Sequence, residues 1–413
     1  MADLMIRRPF ARQEDPGMHN RPRAALLLLL VSGLLAACNG GAGSGSTVEG
    51  TPESTVASAG DGTATGGAAT QLITLGVVQS LSGAGGIYGP SAVEGTKLAI
   101  EEIEAADPNI QIDYTVVDDK SDADAGVAAY QGFVDQKVTA IFGSSLSTVG
   151  FPALKVAEDA GVPAVSPITT ASGIGAIGDY VFRIALAEEV SLPALVEFVA
   201  ERSPIHEAVL VFDSSDAYSR SAADAMRQGV ATIGATIVKE VDLSTAPDLA
   251  AVFADPSVSA AQAVLLPVLI EQSVTVLQAI QAAGLHPVLV GGEAVATPEL
   301  AQLAGTAADG MFVSSTWHPA VTGSTSQAFV QAYEKAYGHP PAHFAAESHA
   351  GITVLMDAIR RAGSTSPAAI RDALAATKDL DTVLGKLSMS PEGDAVFTPV
   401  FQQFMDGQLV IAK

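Results

Sequence analysis

Three groups of side chains in this sequence have the types and spacing to hold a small charged molecule. Two are rich in hydroxyls: Gly143-Ser144-Ser145-Leu146-Ser147-Thr148 and Ser166-Pro167-Ile168-Thr169-Thr170. Each follows a short apolar run that reads as a strand, Ala140–Phe142 and Ala164–Val165, and the first leads into a helix. Hydroxyls and unpaired amides at a helix start suit a carboxylate. Any one of these serines could serve only as a helix cap. Two such turns on adjacent strands describe an anion-binding rim, with Ser145, Leu146, Ser147, Thr148, Ser166, Thr169 and Thr170 as its members. The third group is Gly291-Gly292-Glu293, directly after the apolar run Pro287–Val290, where a carboxylate is placed to receive an ammonium group. Asp213-Ser214-Ser215-Asp216-Ala217-Tyr218 holds the corresponding place after Ala208–Phe212.

Other chemistries are poorly represented. The turn Ser80-Leu81-Ser82-Gly83-Ala84-Gly85-Gly86-Ile87-Tyr88-Gly89-Pro90 follows a strand and opens a helix, as a dinucleotide fingerprint would. Tyr88 stands where the third glycine belongs, so the turn reads as a close approach of backbone with Tyr88 exposed at its tip. There is no Gly-x-Ser-x-Gly elbow and no His-Glu-x-x-His. His339, His343 and Glu347 are spaced by four, but Pro340 and Pro341 break the helix that would align them as metal ligands. Trp317 and His318 read as packing residues. The expectation is a binding protein with no catalytic group, cofactor or metal.

The elements that carry these groups alternate strand and helix. Expected strands are Leu72–Gln79, Ile112–Asp118, Ala140–Phe142 and Ala164–Val165, separated by helices Ser91–Ala106, Ala123–Gln136 and Pro152–Ala160. A second series runs through helix Leu192–Glu201, strand Ala208–Phe212, helix Ser219–Ile233, strands Thr236–Glu240 and Ala263–Pro267, helix Glu271–Ala283 and strand Pro287–Val290. Strand Met311–Ser315, helices Ser326–Tyr337, His343–Ala362 and Pro367–Thr377, and a closing β segment Val396–Lys413 follow. Apolar strands alternating with helices imply parallel sheets covered on both faces. The fold class is α/β, with two doubly wound lobes and a ligand crevice at the strands' carboxyl ends, between the lobes.

The sequence before the first strand concerns address. Arg21 and Arg23 precede the apolar stretch Ala24–Ala37, which runs into Leu35-Ala36-Ala37-Cys38. A basic region, a short apolar region and small residues before a cut site describe a secretory signal; the stretch is too short for a spanning helix. Leu-Ala-Ala-Cys resembles the bacterial lipobox, whose cysteine is lipidated and becomes the first mature residue. Cys38 is therefore expected to anchor the protein on the membrane's outer side, and Met18-His19-Asn20-Arg21 would itself make a good start. Asn39–Thr70 is mostly Gly, Ser, Thr and Ala without apolar periodicity, which reads as a flexible tether with a reach of roughly 30 Å. Cys38 is the chain's single cysteine, so no internal disulfide is possible. The net charge of -24 disfavours nucleic acid as a partner.

From Leu72 onward the chain resembles the type I periplasmic binding proteins of the branched-chain amino-acid (leucine/isoleucine/valine) class. The matching stretches are Ile73–Gly76, Leu81-Ser82-Gly83, Tyr88-Gly89, Val117-Asp118-Asp119, Ile141-Phe142-Gly143 with Ser147, and Val162-Pro163 through Ser166-Pro167. Asp213 with Tyr218, Gly292-Glu293, Ala308–Met311 and Asp406-Gly407 continue the pattern. The resemblance implies that the two hydroxyl turns hold an α-carboxylate, that Glu293 takes the α-ammonium, and that Tyr88 and Tyr218 cover the ligand from either lobe. It implies a three-segment hinge and delivery of an amino acid to an ABC permease, or ligand sensing for amides, urea or other small solutes on the same fold. The expected organisation is a signal over 1–37, a tether over 38–70, an N-terminal lobe from 72–188 and 318–398, and a C-terminal lobe from 189–317 and 399–413. The sequence departs from the family at Leu266–Ile270, which lacks the usual rim aromatics, and at His349, where tyrosine is common.

Overall fold

Ile73, Leu75 and Val77 point to one side of their strand and Val78 to the other, and each side enters a different apolar core. This is the period-two logic of a strand covered on both faces. A computed structural model describes residues 6–7 and 71–413. Cys38, the tether and the signal segment other than Ile6–Arg7 lie outside the described residues.

The first sheet has the order β1-β3-β2-β4-β5-β6. Its strands are β1 (Ile6–Arg7), β2 (Gln71–Gln79), β3 (Ile110–Asp118), β4 (Ala140–Phe142), β5 (Ala164–Ser166) and β6 (Val181–Arg183). All pairings are parallel except β1 with β3. Helices α1 (Gly89–Ala106), α2 (Ala123–Gln136) and α3 (Ser147–Ala160) connect β2 through β5. After β6, α4 (Glu188–Ala200) leads into the second sheet.

That sheet contains β7 (Glu207–Phe212), β8 (Thr236–Asp242), β9 (Ala263–Leu266), β10 (Val288–Gly291) and β11 (Phe312–Ser315), all parallel. Between them run α5 (Ala217–Thr232), α6 (Leu249–Ala254), α7 (Pro256–Ser259), α8 (Ile270–Ala282) and α9 (Pro298–Ala304). The chain then returns: α10 (Ser324–Tyr337), α11 (His343–Ala362) and α12 (Pro367–Ala375) share a core with β2 and β3 of the first sheet. A small sheet of β12 (Leu380–Thr382), β13 (Gly385–Met389) and β14 (Ala395–Val396) follows. Finally β15 (Val400–Met405) and β16 (Gln408–Ile411) cross back and complete the order β16-β15-β11-β10-β9-β7-β8. Asp406 and Gly407 both have positive φ, the requirement of the two-residue turn that joins this antiparallel hairpin. The result is α/β, with two parallel sheets wrapped by helices and a chain that passes between them three times.

Several elements differ from expectation. α3 begins at Ser147 rather than Pro152, which sits inside the helix and forfeits one backbone bond there. The closing β segment is a hairpin rather than one continuous run. β6, α6, α7, α9 and the small sheet are too short to show a period in sequence. Trp317, at the second crossing, is buried as expected; its indole N–H donates to Ser326 Oγ at 2.7 Å. No helix among the described residues is long and apolar enough to cross a membrane.

Candidate functional site

The carboxyl ends of the two sheets face each other across a cavity of about 330 Å³. Its walls are Tyr88, Ser145, Leu146, Ser147, Ile168 and Thr170 from the first sheet's loops, with Tyr218, Leu269, Glu293, Ala294 and Phe344 opposite or beside them.

β4 and β5 are hydrogen-bonded neighbours, so their two hydroxyl turns lie side by side. No side chain caps α3, and Leu146 and Ser147 at its start line the cavity, which leaves the positive end of a 14-residue helix facing the space. Ser145 is fixed from below: its hydroxyl donates to Gln79 Oε1 at 2.6 Å and accepts from Ser80 N at 2.9 Å. Ser147 Oγ accepts from Ala171 N at 3.3 Å. The carbonyl of Thr170 takes the Glu188 amide and Arg183 Nη1, at 3.1 and 3.0 Å.

The structure does not bring every expected residue to the cavity. Thr148 turns away and bridges the lobes: its hydroxyl donates to Asp216 Oδ2 at 2.6 Å and accepts from Ala217 N at 2.8 Å. Ser166 and Thr169 bond each other at 2.5 Å behind the wall. Asp213 is occupied by Ser215 and Gln272. Tyr88 is buried rather than exposed at a tip; its hydroxyl accepts from Ile270 N at 3.1 Å across the cleft, and its ring meets Phe344 edge-on at 5.1 Å. Tyr218 is buried against Gly292, where an added Cβ would lie 2.3 Å from the phenol oxygen. Burial raises both phenols above the usual tyrosine range.

Glu293 begins the turn Glu293–Val295 after β10 and is 6 % exposed. Its Oε1 accepts from Thr316 N at 2.9 Å. Burial pushes its carboxyl up to about 7, against a lowering pull from Thr316. Behind it the hydroxyl of Thr316 donates to Glu347 Oε1 at 2.8 Å, and Glu347 is fully buried. Desolvation holds Glu347, and Glu188 on α4, well above the usual carboxylate range. Glu293, His343 and Glu347 place one ligand-type atom each within 4.8 Å of one another. His339 stands apart, exposed, beside Glu94 and Tyr333. The buried guanidinium of Arg183 lies under the Thr170–Ala171 loop and pairs with Asp394 at 2.8 Å.

Sequence reasoning missed Ile168, Leu269, Ala294 and Phe344 as walls, because an apolar residue carries the same signal in a core and at a pocket. It also missed Glu188 and Arg183; their one available signal was a charge amid apolar residues.

Residues 72–406 match the family described as periplasmic binding protein. The Leu/Ile/Val-binding protein homolog 3 of Brucella melitensis is 26% identical over 345 residues, covering 82% of this chain and 93% of that protein. The leucine-, isoleucine-, valine-, threonine- and alanine-binding protein of Pseudomonas aeruginosa is 25% identical over 330 residues, 79% of this chain and 88% of its own length. Among solved structures, the branched-chain amino acid transporter substrate-binding protein of Streptococcus pneumoniae, in complex with isoleucine, superposes with a TM-score of 0.76. It is 25% identical and covers 82% of this chain and 98% of its own.

Proposed function

The chain belongs to the periplasmic binding protein family, and from that premise we propose that it captures a branched-chain amino acid outside the cytoplasm and presents it to an ABC permease. One observation carries the reading: a single small cavity has an uncapped helix start and hydroxyls on one side and a buried carboxylate, Glu293, on the other. Opposite charges that far out of water match a zwitterion. The rest of the lining, Leu146, Ile168, Leu269 and Phe344, is apolar and suits an aliphatic side chain.

In this reading Tyr88, Ser145, Leu146, Ser147, Thr170, Tyr218 and Glu293 touch the ligand. Thr148 holds the lobes together, while Ser166 and Thr169 shape the rim from behind. The lobes comprise 72–188 with 318–398 and 189–317 with 399–413, and closure traps the ligand by contacts that exist only when the two meet. Cys38 receives a diacylglyceryl group on its thiol and becomes the first mature residue, and the tether keeps the binding domain near its permease; replacing Cys38 with Ser should release the protein from membranes on fractionation.

Calorimetry tests the cargo. L-leucine should bind, its deaminated analogue 4-methylpentanoate should bind at least about tenfold more weakly, and Glu293→Gln should bring leucine down by a similar factor. Unchanged leucine affinity in Glu293→Gln overturns the ammonium role.

A further inference from the structure

At and behind the acidic end of the cavity lies more acid than one ammonium group can balance. Glu188 on α4, Glu293 after β10 and Glu347 on α11 are all buried there, with Tyr218 of α5 and His343 of α11 beside them. The nearby cation is Arg183 of β6, whose charge is already shared with Asp394. His343 adds no positive charge, because burial lowers it to about 3. Several carboxylates this close and this dry do not all ionise, so at least one enters the fold carrying its proton.

Thr316 decides which. Its backbone N–H donates to Glu293, and its hydroxyl donates to Glu347 Oε1. Glu293 thus receives a main-chain donor and borders the cavity, where a ligand's positive charge arrives. Glu347 borders no part of it, is 0 % exposed, and its Oε2 finds no donor. An ionised Oε2 with no donor would be costly, whereas a protonated Glu347 has the Glu293 carboxylate as its hydrogen-bond partner, the two side chains being paired behind the cavity wall.

We propose that Glu347 is a neutral carboxylic acid that keeps its proton and donates a hydrogen bond through it to Glu293, so that Glu293 is the one of the two that ionises and the pair presents one negative charge to one ammonium group. Glu347 is then a positioning residue for ligand binding, acting through Glu293 and Thr316. The proposal rests on Glu293 being the ammonium acceptor, yet one of its consequences needs no ligand.

That consequence is a band within the infrared carboxylic-acid C=O absorption of the ligand-free wild-type protein at pH 8, separate from any band Glu188 contributes, kept in Glu188→Gln and lost in Glu347→Gln. Absence of the band in wild type, or its survival in Glu347→Gln, overturns the proposal whether or not leucine binds. In calorimetry with L-leucine, Glu347→Gln should stay within about threefold of wild type from pH 6 to 8, because the amide replaces the acid as donor. Glu347→Ala, which leaves Glu293 without that donor, should lose about tenfold. A loss in Glu347→Gln as large as in Glu293→Gln would show that Glu347 carries the charge, and overturns the proposal. So would stoichiometric binding of Zn²⁺ to the wild type that Glu347→Gln abolishes. Failure of wild type to bind leucine at all falls on the proposed cargo instead, and the infrared result stands apart from it.

Discussion

A single carboxylate sets the character of the cavity, and its burial has a measurable sign. Glu293 titrates at about 7 in the fold against 4.5 for an ordinary glutamate. Between those values the folded ligand-free protein holds a proton that the unfolded chain has released, so its stability falls as pH rises from about 4.5 to about 7. The fall is on the order of a few kcal/mol. Glu188 and Glu347 shift in the same direction and extend it to higher pH. Urea unfolding of the ligand-free protein across that window should show the decline, and Glu293→Gln should flatten it below pH 7. Saturating leucine should offset it, since an ammonium stabilises the ionised form. A ligand-free stability curve that rises through the window contradicts this picture of the site. Glu293 was legible in sequence because a charge directly after an apolar strand and two glycines has little use on a surface. Its neighbours Glu188 and Glu347 were not, because each sits on a helix whose facing direction the sequence does not reveal.

Element boundaries decide which hydroxyls touch a ligand. A helix turns about 100° per residue, so starting α3 at Ser147 points Ser147 to the cavity and Thr148 to Asp216. The expected start at Pro152 left both in an irregular turn, where either orientation is open. Proline usually marks a first helical turn, and here it lies within the second. The alternation of β2–β5 with α1–α3 was legible because each element is long or apolar enough to show its period. The helix pair behind Tyr88 and Phe344 rests on a detail that the sequence hides. α1 crosses α11 so closely that a Cβ on Gly95 would lie 2.0 Å from the Ala345 carbonyl oxygen. Gly95→Ala should therefore force the helices apart and cost about 1–3 kcal/mol in urea unfolding, despite alanine's better helix propensity. A stabilised Gly95→Ala would mean that the two helices have room to spare.

The two lobes of residues 71–413 are shut against each other. Hydrogen bonds Thr148–Asp216, Tyr88–Ile270 and Ser172–Ser221 span the cleft without touching the cavity's carboxylate. Removing one should shift the population towards the open form and weaken apparent affinity in proportion. Thr148→Val should raise the leucine Kd by about 3–10-fold. Small-angle scattering should find the ligand-free variant more extended than wild type and the two alike with ligand. A variant that binds leucine as wild type does would strip Thr148 of its latch role. Two lobes with a crevice between them were legible from the repeated βα series and the late return of helices. The way the lobes meet was not, because contacts between Thr148 and Asp216, or Tyr88 and Ile270, join residues far apart in sequence that carry no local signal.

One feature of the second sheet bears on how such a molecule is made. Its parallel strands come from residues 207–315, yet β11 is left as an open edge until the hairpin Val400–Ile411 pairs with it. An edge without a partner is a hazard for misassembly. A chain threaded across a membrane from its amino end would hold that edge bare until residues 400–411 have emerged. Completion of the sheet thus waits on residues 400–411, and its border passes from β11 to β16, an edge strand of only four residues.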